Sequence, residues 1–257
     1  MSKTKEMDLT VGSPFRSLLE FAFPVILGNL FQLFYTLADS VIVGKTLGAE
    51  SLAAVGSTSI IIYFIFCFIN GFTGGFGICL GQYCGAKDEK NMRKSIAAST
   101  VLSIAFTVVL TIICCAFART FLILMKIPSD IEESAYAYMF VVLLGTGATV
   151  FYNMISNMLR ALGDSRTPLY FLVISSILNI FLDVLFILPF HMGVAGAAWA
   201  TILSQFISAL LCLLVGLKKY PIMHLHKQDF QDLNDIIKKH LKTGFPMGFQ
   251  MSVMCIG

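Results

Sequence analysis

The chain has 257 residues, 57% apolar and only 13% charged, with a mean hydropathy of +0.82 and a formal net charge of +3. A soluble domain carries about 25% charged residues, and a fold this poor in polar groups cannot coat its own surface with them. A disordered tail, a disulfide scaffold and an ordinary soluble enzyme are excluded, and the chain is expected to live in lipid.

The first 14 residues are polar and lack an apolar core ending in a small-residue cleavage site, so no cleaved signal peptide is expected. A helical crossing takes about 20 apolar residues. Six such segments follow, roughly Phe15 to Val43, Leu52 to Tyr83, Ser95 to Ala118, Ile131 to Leu159, Pro168 to Leu188 and Val194 to Leu217. They are too long and too uniformly apolar for the short alternating strands of a β-barrel. Ser129 and Glu132 have capping-box spacing before the fourth. Thr167-Pro168 offers a cap and then a proline at the start of the fifth. Pro189 ends the fifth, and Pro24 is expected to kink the first.

Lysines and arginines set the orientation. With the N-terminus inside, the inner segments hold Lys3, Lys5 and Arg16, then Lys87, Lys90, Arg93 and Lys94, then Arg160 and Arg166, then Lys218, Lys219, Lys227, Lys238, Lys239 and Lys242. Only Lys45, Arg119 and Lys126 fall outside. This asymmetry predicts a cytoplasmic N-terminus and explains the positive charge without any nucleic-acid partner. The seven cysteines all sit in apolar stretches without CxxC spacing, so they read as packing residues and not as a disulfide or zinc framework.

From Asp229 to Lys242, Phe230, Leu233, Ile236, Ile237 and Leu241 recur at helical spacing, with aspartates early and lysines late. That order suits a helix dipole, and the segment reads as an amphipathic helix lying on the cytoplasmic membrane face. Phe245-Pro246 then repeats Phe23-Pro24, again just after a basic stretch. With six spans between the copies, both open an outward crossing, which is the signature of a parallel repeat. The expected organisation is a six-helix membrane lobe over residues 1–217, a connector over 218–242 and the start of a second lobe over 243–257. The chain reads as the first half of a protein about twice as long, cut inside its seventh helix.

Polar groups in hydrocarbon are costly unless they face a partner or a cavity. Asp39 and Asp183 lie within spans one and five, and no lysine or arginine lies deep in any span to neutralise them. Asn29, Gln32, Thr36 and Asp39 form one helical stripe. Thr149, Asn153 and Asn157 form a second, and Ser175, Asn179 and Asp183 a third. Thr201, Ser204, Gln205 and Ser208 form a fourth. For serine and threonine alone, interhelical hydrogen bonding suffices as the explanation. For the two aspartates a functional role is the better reading. Gly71 and Gly75, then Gly77, Gly81 and Gly85, sit four apart in span two and predict close helix contact.

These residues carry a resemblance. Phe23-Pro24-Val25 with Ala38-Asp39-Ser40 and Val43-Gly44, the run from Arg160 to Pro168 (Arg-Ala-Leu-Gly-Asp-Ser-Arg-Thr-Pro), Asn179 with Asp183, and the run from Gly193 to Thr201 together resemble the multidrug and toxic compound extrusion (MATE) transporters. The nearest type is the bacterial one similar to DNA-damage-inducible (DinF-like) efflux proteins. The resemblance implies an all-α, polytopic membrane bundle, a twelve-helix exporter of two six-helix lobes, in the bacterial cytoplasmic membrane. It implies antiport with alternating access, coupled to Na+ or H+ with no other cofactor, and small amphipathic or cationic substrates. The family's ion site carries over onto Asp39, Asn179, Asp183 and Thr201. Gln32, Thr36, Asn153, Asn157 and Gln205 are the expected cavity residues. The partners implied are membrane lipid and the second lobe of the same protein.

Two other readings compete. A flippase for lipid-linked oligosaccharide or lipid, of the same superfamily, is expected to place basic residues in its cavity, and none is seen in these spans. An intramembrane aspartyl protease could use two membrane aspartates, but the Gly-x-Gly-Asp setting of that chemistry is absent around both. No Walker motif is present, so ATP is not the direct energy source.

Overall fold

The computed structural model describes residues 14–255, the side chains of Pro14, Arg16, Ser17 and Glu20 excepted. Lys3 and Lys5 of the first basic cluster, and residues 256 and 257, lie outside the described residues. Among the described residues eight α-helices follow in order: α1 (Pro14–Leu47), α2 (Ala49–Gly85), α3 (Glu89–Leu124), α4 (Glu132–Leu144), α5 (Thr146–Ala161), α6 (Arg166–Ile187), α7 (Gly193–Lys219) and α8 (Asn234–Met254). Five of them are long and apolar enough to cross a membrane, and α4 with α5, bent by 42° at their junction, is long and apolar enough when the two are taken as one span. The α2–α3, α5–α6 and α7–α8 connections gather at one end of the bundle, called here the basic end.

The break in the fourth crossing falls at Gly145. Thr146 Oγ1 donates to the Leu143 carbonyl (2.8 Å) and meets Thr111 Oγ1 on α3 at 2.8 Å. A methyl group on Gly145 would overlap Ile202 of α7. The expected capping box does not form: Ile131 stands at the start of α4, with no side-chain cap. Pro24 does not interrupt α1, which is helical throughout Pro14–Leu47.

The basic-end turns share one plan. After α5, Gly163 has φ of 86°, its N–H reaches the Arg160 carbonyl (3.0 Å), and Asp164 N–H reaches Leu159 (2.8 Å). This is a Schellman ending, in which glycine takes the left-handed conformation at no steric cost. Asp164 then caps α6, accepting from Thr167 N–H (3.0 Å) and Thr167 Oγ1 (2.6 Å). The cap is therefore Asp164 and not Thr167, which sits inside the first turn beside Pro168. Lys87 and Asp88 repeat the plan before α3, with Asp88 accepting from Asn91 N–H (3.1 Å).

Asp164 also receives Lys219 Nζ (2.7 Å) and the Tyr220 hydroxyl (3.1 Å), tying the α5–α6 turn to the end of α7. Burial pushes its carboxyl up, but Lys219 and Thr167 outweigh burial and hold it below the ordinary carboxylate range. A carboxylate with a lowered folded-state value stabilises the fold above its unfolded value, and the contribution is lost as pH falls through the folded one. Asp164→Ala should cost about 2–4 kcal/mol by orphaning a part-buried lysine and a cap. Thermal unfolding in detergent from neutral to acid pH checks this, with a flatter acid limb expected in the variant.

The core lies in two main apolar clusters. One joins Ile62 and Ile69 of α2 to Cys114 and Leu122 of α3 and Met139 and Leu143 of α4. The other, at the basic end, joins Leu80, Ile96, Ile155, Leu159, Cys212 and Met223. α1 packs mainly on α6 and leaves Phe23, Ile26, Leu30, Leu33 and Phe34 exposed.

The segment after α7 differs from the sequence expectation. Two 3-10 turns, Pro221–Met223 and Lys227–Phe230, precede a helix that starts at Asn234 and runs on past Lys242 through Pro246 to Met254. Its Leu233–Ile236 side does not face lipid. It packs on Ala97 and Ala98 of α3, so the amphipathic stripe serves a protein contact. His240 is fully buried there, its Nδ1 donating to the Ile236 carbonyl (2.8 Å) and its Nε2 accepting from Ser95 Oγ (3.0 Å). Burial lowers its proton affinity, consistent with that neutral tautomer.

Gly71 and Gly75 meet α8. A methyl on Gly75 would stand 2.5 Å from the Cα of Gly244, and one on Gly71 would overlap Met247 and Gly248. Gly77 faces Asn157 of α5, whereas Gly81 and Gly85 border open space and contribute no close contact. The docking of α8 also pairs Cys67 with Cys255 in a disulfide (Cα–Cα 7.0 Å), which corrects the packing reading for these two. A bridge across 188 residues depends on tertiary contact and leaves no mark in local spacing. Among the described residues Cys79, Cys84, Cys114, Cys115 and Cys212 form no disulfide.

Candidate ion and substrate site

A cavity of about 690 Å³ opens inside the bundle, walled by α1, α2, α5, α6 and α7, with Tyr138 of α4. The α1 stripe faces it with Asn29, Gln32, Thr36 and Asp39. α5 contributes Thr149 and Asn153, α6 contributes Ser175 and Asn179, and α7 contributes Thr201, Ser204 and Gln205. Thr149 Oγ1 donates to Gln205 Oε1 (2.8 Å), closing α5 on α7.

Four oxygens distinguish one corner. Asp39 Oδ1, Asn179 Oδ1 and both carboxylate oxygens of Asp183 are buried without a hydrogen-bond partner. Asn179 Nδ2 donates to Thr201 Oγ1 (3.3 Å), which itself donates to the Ala197 carbonyl (3.2 Å). Thr201 Oγ1 therefore retains acceptor capacity beside the amide. Asp183 sits one turn after Asn179, fully buried behind the cavity wall, and interacts electrostatically with Asp39 across the α1–α6 contact. Buried acceptors without donors are costly. Carboxylate, amide and hydroxyl oxygens fit a hard cation or a proton, and not a soft metal. Among the described residues no cluster of three or more histidine, cysteine, aspartate or glutamate side chains offers a metal site of another kind.

Two expected stripe residues serve packing instead. Asn157 leaves the cavity and donates to Thr73 Oγ1 of α2 (3.2 Å). Ser208 donates to the Phe171 carbonyl (2.6 Å), joining α7 to α6. Tyr35, Tyr138, Tyr152 and Ser156 line the cavity unannounced by the polar stripes. So does Arg160, which corrects the expectation of a cavity free of basic side chains.

Helical crossings around an internal polar cavity, with buried carboxylates at its wall, define a polytopic membrane protein. The chain belongs to the MatE family, whose profile matches residues 24–185. Members of this family are transporters and not enzymes, which removes the protease reading. The probable multidrug resistance protein YpnP of Bacillus subtilis is 35% identical over 254 residues, covering 98% of this chain and 56% of that protein. The probable multidrug resistance protein NorM of Thermotoga maritima is 28% identical, covering 94% and 53%. Among solved structures, an outward-facing multidrug resistance MATE transporter superposes with a TM-score of 0.90 at 30% identity, covering all of this chain and 57% of that one. A MOP superfamily transporter from Pyrococcus furiosus gives the same values. This chain thus spans a little over half the length of the relatives it matches.

Proposed function

We propose that this chain forms the ion-coupling lobe of an exporter that expels small amphipathic or cationic molecules in exchange for Na+ or H+. The observation that carries the reading is the set of unpartnered oxygens on Asp39, Asn179 and Asp183, with Thr201 beside them. Bound Na+, or a proton, satisfies these acceptors; the empty, charged state is the costly one. Site occupancy therefore changes how α1 and α6 attract each other. The cavity wall on α1 responds, and alternating access follows as one lobe rocks against a second. The multidrug names of the relatives support drug-like substrates. The test is efflux of a fluorescent cation by the complete protein in vesicles, with the sodium and proton gradients collapsed in turn. Efflux that survives the loss of both gradients overturns the reading.

The basic end is placed in the cytoplasm. It holds Lys87, Lys90, Arg93, Lys94, Arg160, Arg166 and the lysines from Lys218 to Lys242, against Lys45, Arg119 and Lys126 at the opposite end. In a cysteine-free background, an impermeant thiol reagent applied outside should label a cysteine at position 126 and spare one at position 90. The reverse pattern inverts the topology.

A further inference from the structure

The polar face of α5 runs Thr149, Tyr152, Asn153 and Ser156 down the cavity and ends at Arg160, in the last turn before the basic end. The Arg160 Nε is buried without a hydrogen-bond partner. Ser156 Oγ, one turn earlier, is likewise buried and unpartnered by geometry, although the Tyr152 hydroxyl lies near it. Tyr152 itself donates to the Pro168 carbonyl (3.2 Å).

Among the described residues no carboxylate neutralises Arg160. Asp164, four residues on, is taken up by Thr167, Lys219 and Tyr220. Asp39 lies toward the far end of α1, away from the basic end. A part-buried guanidinium whose Nε is shut away without an acceptor or an anion is costly. Its planar fork matches a carboxylate or phosphate with two parallel hydrogen bonds. The cavity therefore has opposite charges at its two ends, aspartate at one and arginine at the other.

We propose that Arg160, with Ser156 one turn away, is an anion subsite of the cavity that takes the carboxylate or phosphate group of an amphiphile. The anion comes either from an exported zwitterion or from an anionic lipid headgroup. The inference rests on the export reading and adds a chemical feature of what the cavity takes.

The test uses the complete protein in nanodiscs of phosphatidylcholine and measures fluorescence polarisation with two dyes. Tetramethylrhodamine carries a cationic ring and a free carboxylate; its methyl ester keeps the ring and lacks the carboxylate. The free acid should bind about tenfold more tightly than the ester, the scale of one charge-assisted hydrogen-bonded pair. Arg160→Gln should bring the acid down to the affinity of the ester, and Arg160→Lys should restore part of the preference. A second arm adds phosphatidylglycerol. Loss of the acid preference there assigns the subsite to lipid, and persistence assigns it to the exported molecule. Equal binding of both dyes by the unsubstituted protein in phosphatidylcholine overturns the subsite and leaves the export reading standing. So does an acid preference that survives in Arg160→Gln. Failure of the unsubstituted protein to bind either dye overturns the export reading itself, and the subsite with it.

Discussion

In the complete transporter, Asp39→Asn and Asp183→Asn should each reduce gradient-driven efflux on the order of a hundredfold, the scale of losing a charged hydrogen-bonded ligand inside protein. Folded yield should stay close to that of the unsubstituted protein. Asparagine matches aspartate in volume, so packing around α1 and α6 is preserved. It offers one acceptor oxygen in place of two, carries no charge to hold Na+ and has no proton to release. Asp183 is the sharper probe because both of its oxygens lack donors and the side chain is fully buried. The rival explanation is that the two carboxylates merely share a proton and hold two helices together. Wild-type efflux rates in both variants would establish that explanation and end the coupling mechanism.

Gly75→Leu should lower the melting temperature in detergent by about 10 °C, because overpacking a tight contact costs about 3 kcal/mol. Even a methyl group at position 75 meets the backbone of Gly244, which cannot swing aside as a flexible side chain can. Gly81→Ala is the control. Nothing lies within 4 Å of its added carbon, so the gain in helix propensity should leave the protein as stable or slightly more so. Indistinguishable melting of the two variants would mean that α2 and α8 do not touch as described.

What could be read from the sequence follows the range of each signal. Crossing lengths and basic clusters are local quantities: α1, α2, α6 and α7 begin and end within about four residues of the apolar runs, and α3 extends its run by six at each end. The break at Gly145 and the turn of α8 onto α3 depend on Ile202, Ala97 and Ala98, which are distant in the chain. On α5 the difficulty was angular. At 3.6 residues per turn, Asn157 is rotated about 80° from Thr149, whereas Ser156 and Arg160 each fall within about 20° of it. A stripe drawn strictly every four residues drifts off the cavity face and selects Asn157, which faces α2. Arg160 was countable as a topological charge next to a loop, and the same helical phase, carried one turn further, would have placed it in the cavity.

The bend at Gly145 lets one crossing keep two unrelated faces. α4 spends most of its inward side on Ala135, Met139, Val142 and Leu143, in the apolar cluster shared with α2 and α3, and gives the cavity only Tyr138. α5 turns Thr149, Asn153, Ser156 and Arg160 toward the cavity. A continuous helix holds a single angular register along its length, so a wet face low in the crossing would extend upward into the dry packing. The interruption resets that register. Substitutions on the cavity face of α5 thereby fall on a different side from most of the cluster that anchors the crossing, to which α5 adds Val150.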